Sequence, residues 1–240
     1  MGLFNIGISV SEQRIPEVQN VVLSKNTKLS SWGAVYLSVV NSDFFPSSFR
    51  IQYKNMVIYV DPLKIESGDI ADYILITHGH PDHFSLADIE RIRDAKTKII
   101  CPKKVAKKLF EHNIRMVRPG ESIECDEIKI DAVAAYSIGF PSHSKRNDNV
   151  GYVITIDGMR IYHAGDTDKI PELEQLDKID VALIPIDGGN LTMTTLEAAT
   201  IVNTLKPRIV IPMHYLVNKG KAQEFKRLIE EGIEVKILAE

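Results

Sequence analysis

Residues 77–83 read Thr77-His78-Gly79-His80-Pro81-Asp82-His83, which packs His78, His80, Asp82 and His83 into six consecutive positions. Imidazoles two residues apart on an extended turn can point the same way and grip one cation. A carboxylate and a third imidazole just beyond can serve a second cation nearby. The plainer alternative is a polar turn whose histidines cap the next helix. That would suit a single histidine better than three with an aspartate.

Four ligands on one turn are too few for two ions, and three further residues stand at the exits of predicted strands. His143 lies in the polar loop Pro141-Ser142-His143-Ser144, Asp166 in Gly165-Asp166-Thr167, and His214 directly after Ile209-Val210-Ile211-Pro212-Met213. Strand ends that open onto one edge of a sheet are where sites on layered folds gather.

The elements that must position these residues are legible from apolar periodicity. The run Tyr73-Ile74-Leu75-Ile76 predicts a buried strand leading into the histidine turn, and Leu86, Ile89 and Ile92 predict a helix from Ser85 or Leu86 to about Asp94. Upstream, Val21–Leu23, Ala34–Val40, Phe49–Tyr53 and Met56–Val60 read as strands, with Ile6–Val10 a further candidate. Downstream, Lys98–Ile100 predicts a strand, and Pro102 opens a helix through Phe110. Strands follow at Ile114–Val117, Glu121–Ile123, Ile128–Ala135, Tyr152–Ile156 and Met159–His163, the last two joined by a hairpin at Asp157-Gly158. The last third alternates strand Val181–Ile184, helix Leu196–Leu205, strand Ile209–Ile211, helix Gln223–Glu231 and strand Val235–Leu238. Antiparallel meanders and β-α-β alternation thus occur in both halves, with no linker between them. Residues 55–61 also echo residues 158–163 with Asp166 soon after, as two related sheets facing each other would.

In this order, the histidine turn, the lone His143, the stretch Tyr162-His163-Ala164-Gly165-Asp166-Thr167 and Pro212-Met213-His214-Tyr215 resemble the metallo-β-lactamase superfamily. Within it, the likeness is to the branch of metal-dependent hydrolases containing ascorbate-6-phosphate lactonase, and it runs from about Phe49 to the C-terminus. The resemblance implies an α/β fold of α+β type, a four-layer αββα sandwich. The whole of residues 1–240 would be a single domain, with residues 1–30 as an N-terminal extension. It also implies that His78, His80 and His143 hold one divalent ion and Asp82, His83 and His214 another, with Asp166 bridging both. Zinc is the first choice and manganese or iron fit the same donors. The implied chemistry is hydrolysis of a lactone or ester, or of a small phosphoester or phosphodiester. A water shared by the ions would be acidified to hydroxide and Asp82 would pass a proton to the leaving group. An iron-dependent oxidoreductase on the same scaffold is the alternative. Members of the branch often carry a histidine just before the strand at Phe49, but residues 41–48 here have none.

Several other side chains have two readings. Lys145 and Arg146 could clamp an anionic substrate group or simply be solvated loop charges. Tyr136, Phe140, Tyr162 and Tyr215 could wall a pocket, with at least two of them in the core. His163 reads as a packing residue supporting the ligands, His112 as a surface residue, and Asp187-Gly188-Gly189 as a strand-end turn. Lys103, Lys104, Lys107 and Lys108 read as a wet basic helix face.

Composition narrows the partners. The chain has 240 residues, 44% of them hydrophobic, enough to bury a full core. A formal net charge of −3 offers no basic field for nucleic acid or membrane. Cys101 and Cys125 lie outside any CxxC pattern, so no disulfide framework is expected. No apolar run reaches membrane-spanning length, and Ile6 stands where a myristoylation motif needs Ser or Thr. The expectation is therefore a cytoplasmic enzyme with a small-molecule substrate. The resemblance adds a homo-oligomer, although no heptad or apolar stripe marks an interface.

Overall fold

The computed structural model describes residues 17–37, 42–109, 113–189 and 191–239. In chain order it forms β1 (Val18–Val22), β2 (Thr27–Trp32), β3 (Val35–Leu37), β4 (Ser42–Phe45), β5 (Phe49–Tyr53), β6 (Met56–Val60) and β7 (Tyr73–Leu75). Then come α1 (Leu86–Ile92), β8 (Lys98–Pro102), α2 (Lys103–Ala106), β9 (Asn113–Val117), β10 (Ser122–Cys125), β11 (Ile128–Ala134), β12 (Val150–Ile156) and β13 (Met159–His163). The chain ends with β14 (Val181–Pro185), α3 (Thr195–Leu205), β15 (Ile209–Met213), β16 (Tyr215–Leu216), α4 (Lys221–Leu228) and β17 (Glu234–Val235).

One seven-stranded sheet has the order β1-β2-β5-β6-β7-β8-β9, the other β10-β11-β12-β13-β14-β15-β17. In the first, the junctions are antiparallel as far as β6 and parallel from β6 onward. The second changes over at the same place, after β13. The echoing segments therefore sit on the fourth strand of each sheet. The hairpin at Asp157-Gly158 has φ of 52° and 75°, the positive pair that suits a two-residue turn between twisted strands.

Alternation along the strands stacks the layers. Ile58 and Val60 of β6 join the core shared with the second sheet, while Val57 and Tyr59 pack with Ile89 and Ile92 of α1 in a separate cluster. Ile201 and Val202 of α3 and Phe225 of α4 close the far side of the main core. The result is the expected αββα sandwich. A fully buried aliphatic such as Ile58 contributes about 1.5–3 kcal/mol, which holds β6 and β7 in the register the histidine turn requires.

The differences from expectation have local causes. β1 and β2 fall largely within the segment read as an extension, yet β2 pairs with β5 from Thr27↔Tyr53 to Ser31↔Phe49. Its polar residues hid it: Ser30 Oγ donates to Asn20 Oδ1 at 2.8 Å and Ser31 Oγ to the Ser48 carbonyl at 2.8 Å. The helix opened by Pro102 stops at Ala106, short of the expected end, and α4 starts earlier, after Gly220, and ends at Leu228. Strand Ile6–Val10, Phe110 and His112 lie outside the described residues. A third, small sheet of order β16-β4-β3 was not foreseen, and it proves to border the site. Among the described residues no helix is long and apolar enough to cross a membrane.

Candidate metal centre

The histidine turn leaves β7 and closes on itself before α1. The His83 and Phe84 amides donate to the His80 carbonyl at 3.0 and 2.8 Å. Ser85 caps the helix by accepting from the Asp88 amide at 3.3 Å. Lys108, read as part of a wet face, donates to the Gly79 carbonyl at 2.8 Å and so braces the same turn. His143 sits in a short 3-10 turn, Pro141–His143, between β11 and β12, its carbonyl accepting from the Ser137 amide at 2.9 Å. Asp166 follows β13 after Gly165 at φ 62°, where a Cβ would lie 2.9 Å from the Val150 carbonyl oxygen. A Cβ on Gly151 of β12 would lie 2.6 Å from the Ala164 carbonyl oxygen, so this strand can pass the Asp166 turn only as glycine. His214 follows β15 at φ 52°, a left-handed position that a non-glycine residue holds only under tertiary constraint.

All seven expected residues converge. His78, His80, His143 and Asp166 offer ligand atoms within 4.8 Å of one another, and so do Asp82, His83, Asp166 and His214. Asp166, 2% exposed, belongs to both groups. Its carboxylate lies 3.7 Å from His78 Nε2, 3.1 Å from His83 Nε2 and 3.3 Å from His214 Nε2. Asp82 Oδ2 is 3.3 Å from His214 Nε2, and His143 Nε2 is 2.8 Å from His80 Nδ1.

The donors suit a cation. His78 Nε2, His83 Nε2 and Asp166 Oδ1, which face one another, are buried without a hydrogen-bond partner, an arrangement folded proteins rarely tolerate unless something else satisfies the atoms. Nitrogen and carboxylate oxygen, with no sulfur in either group, suit zinc, manganese or iron alike. Electrostatics divide the two groups. Burial, reinforced by His83, holds His78 well below the usual imidazole range, and burial lowers His143 to about 4, so this group presents neutral imidazoles. In the other group burial is outweighed: Asp166 and Asp82 push His83 well up and bring His214 to about 10. Two carboxylates there demand positive charge.

One contributor was missed. Asp61, just past β6 and fully buried, accepts from His83 Nδ1 at 2.7 Å, from the Thr77 amide at 2.8 Å and from Thr77 Oγ1 at 2.6 Å. Since the Thr77 hydroxyl donates to Asp61, it accepts from His78 Nδ1, 3.0 Å away. One carboxylate thus orients an imidazole in each group and leaves both Nε2 atoms bare toward Asp166. Its signal was the internal echo, in which Asp61 ends the strand equivalent to the one before Asp166. Replacing Asp61 with Asn should weaken metal affinity by about 10–100-fold, measured by chelator competition, while saturating metal restores turnover. An unchanged affinity would remove Asp61 from this positioning role.

A cavity of about 940 Å³ opens beside Asp82, Asp166, His80 and His214. Lys145 does not line it: its ammonium pairs with Glu172 at 2.6 Å over the Tyr136 ring, and Arg146 is also absent from the walls. Tyr162 and Tyr215 are buried in the core, and neither Tyr136 nor Phe140 reaches the cavity. Its aromatics are instead Tyr36, Phe44 and Phe84. His163 is a packing residue as expected, its Nε2 donating to the Ser47 carbonyl at 2.8 Å while Nδ1 accepts from the Gly165 amide at 3.2 Å. Asp187 turns the chain with Gly188 and Gly189 at positive φ and also lines the cavity.

The chain is similar to known proteins along most of its length. Residues 44–214 match the family described as Beta-lactamase superfamily domain. A "UPF0173 metal-dependent hydrolase" of Thermococcus onnurineus is 40% identical over 178 residues, spanning 70% of this chain and 79% of that protein. Its counterpart from Nanoarchaeum equitans is 37% identical over 203 residues, spanning 80% and 93%. Among solved structures, that of a proposed metal-dependent hydrolase from Parabacteroides distasonis superposes with a TM-score of 0.78 at 30% identity, covering 93% of this chain and 98% of the other.

Proposed function

The chain belongs to the β-lactamase superfamily, and from that premise we propose that it is a hydrolase whose two ligand groups hold a pair of divalent cations. The observation that carries this reading is the pairing of two four-ligand sets through one shared, buried carboxylate, Asp166. His78, His80 and His143 serve one cation, Asp82, His83 and His214 the other. Zinc is the first choice, with manganese or iron alternatives. When bound, such a pair supplies Lewis acidity and lowers the pKa of water from about 15.7 towards about 7.

The side chains divide the remaining work. Asp166 fixes the separation of the two groups, and Asp61 and Thr77 hold His83 and His78 in the tautomers that face it. Asp82, with its side chain 29% exposed against 2% for Asp166, is the carboxylate more open to the cavity. It accepts a proton from the attacking water and returns it to the leaving oxygen. For an ester, the water oxygen bonds to the carbonyl carbon and the bond to the alcohol oxygen breaks. The alcohol leaves with one proton of the water, and the acid formed gives up the other as it becomes a carboxylate.

The substrate is a lactone or ester, or a small phosphoester or phosphodiester; the likeness to ascorbate-6-phosphate lactonase is the source of the lactone option. The hydrolase names of the relatives support this class over an iron-dependent oxidoreductase. The test is to strip the protein with a chelator, reload it separately with zinc, manganese and iron(II), and assay a panel of esters, lactones and phosphodiesters. Hydrolysis should return with at least one metal and vanish again on chelation. A panel left untouched under every metal would sink the reading.

A further inference from the structure

The walls of the cavity differ in character from its floor. The floor is the ligand cluster, but the wall rising from it is the small third sheet, in which Val35 pairs with Phe44 and Phe44 with Leu216. Cross-strand partners share a face, so these three form one apolar row across β3, β4 and β16, and all three line the cavity. The row starts at the ligands: the Phe44 ring meets the His214 ring edge-on, centroids 5.1 Å apart. Leu37, Leu63, Phe84 and Leu191 extend the apolar lining around it.

Three charged groups of the lining, Arg91, Asp88 and Asp187, are held by neighbours outside the apolar row. Arg91 donates to the Ile65 carbonyl and lies 3.4 Å from Asp88. Asp88 in turn accepts from the Lys64 and Ile65 amides at 3.0 and 2.8 Å. Asp187 is paired with Lys221 at 3.1 Å. Lys64 shares the exposed rim with Glu66, a charge of opposite sign. Beyond the ligand cluster, the cations of the described lining are Lys64 and Arg91, and Arg91 is turned to the Ile65 carbonyl, so the wall itself adds little charge for a phosphate. A volume near 940 Å³ also exceeds what a small polar acid fills, since about 300–1,000 Å³ accommodates drug-sized ligands.

We propose that this cavity receives the hydrocarbon chain of an uncharged acyl ester or lactone, laid along Val35, Phe44 and Leu216 with its carbonyl at the ligand cluster. The proposal rests on the hydrolase reading and names its substrate class. The reaction is the balanced ester hydrolysis given above: an ester gives the carboxylate and an alcohol, and a lactone opens to one chain carrying both a carboxylate and a hydroxyl.

The experiment has two arms. In the first, n-alkanoates from acetate to octanoate are titrated calorimetrically into zinc-loaded protein; the carboxylate is common to all, so only the chain differs. Affinity should rise about three- to fourfold per methylene, with a heat-capacity change that grows more negative. In the second, kcat/KM is measured for p-nitrophenyl esters of the same acids and for bis(p-nitrophenyl) phosphate. It should climb with chain length and favour the long esters over the phosphodiester. Leu37→Ser and Leu216→Ser, both at half-buried sites, should each cut the octanoyl-to-acetyl ratio by about tenfold, as loss of apolar contact along the chain requires. Metal-dependent hydrolysis with a flat chain-length profile, or a preference for the phosphodiester, would overturn the acyl proposal and leave the hydrolase reading standing. Chain-length-dependent binding with no turnover of the carboxylic esters or the phosphodiester under zinc, manganese or iron(II) would do the reverse, keeping the acyl cavity and sinking the hydrolase.

Discussion

Replacing Asp166 with Ala is expected to abolish hydrolysis and to strip the protein of metal at both ligand groups together. The reason is geometric. This one carboxylate stands within 3.7 Å of imidazoles from both groups, and it is the residue they share. Without it, cations in the two groups would face each other with less negative charge between them, and His83 and His214 would lose the carboxylate that most strongly favours their charged form. Removing a single preorganised electrostatic group commonly costs about 10²–10³ in rate. A group that also holds the spacing should cost on the order of 10³ or more. Elemental analysis should show loss of most of the bound metal relative to the unaltered protein, with the circular dichroism of the fold retained. Full metal content with normal turnover in the Asp166→Ala protein would refute the shared-carboxylate arrangement.

Much of this centre could be read from residue types alone, because metal ligands need particular side chains at strand exits and those exits are marked by apolar runs. The turn after β7 is the clearest case: Tyr73 to Ile76 announce the strand, and the ligands follow at once. Asp61 was harder to see. A lone aspartate before a proline reads as a turn residue, and only the folded chain shows its carboxylate reaching across from β6 to His83 and Thr77. The cavity wall was not legible for a related reason. β4 is four residues and β16 two, too short for periodicity to register; β4 pairs with nearby β3, and β16 exists because it pairs with β4 across a long stretch of chain. The short strand β4 supplies Phe44, which joins Val35 and Leu216 in making the wall apolar. Lys145 had two readings in the sequence, a substrate clamp beside His143 or a solvated loop charge, and the 3-10 turns of that loop carry it away from the cavity to Glu172. Proximity along an irregular loop says little about where a long side chain ends.

Asp82 and His80 should separate holding from reacting. His80→Ala removes one imidazole of the first group, where His80 Nδ1 faces His143 Nε2 at 2.8 Å, so metal content and turnover should fall together. Asp82→Asn is a different perturbation. The amide keeps an oxygen near His214 and His83 but cannot take up a proton in the way a carboxylate can. If Asp82 shuttles the proton between water and leaving group, kcat should drop by about 10²–10⁴ with metal content nearly preserved. Esters with a poor leaving alcohol should suffer more than p-nitrophenyl esters, whose leaving oxygen needs little protonation. Asp82→Ala, which also removes the ligand oxygen, should lose metal from the second group as well. The leaving-group comparison is the decisive readout, because a purely structural role for Asp82 would slow all esters alike. Equal losses on good and poor leaving groups would leave Asp82 as a ligand and move the proton transfer to another group.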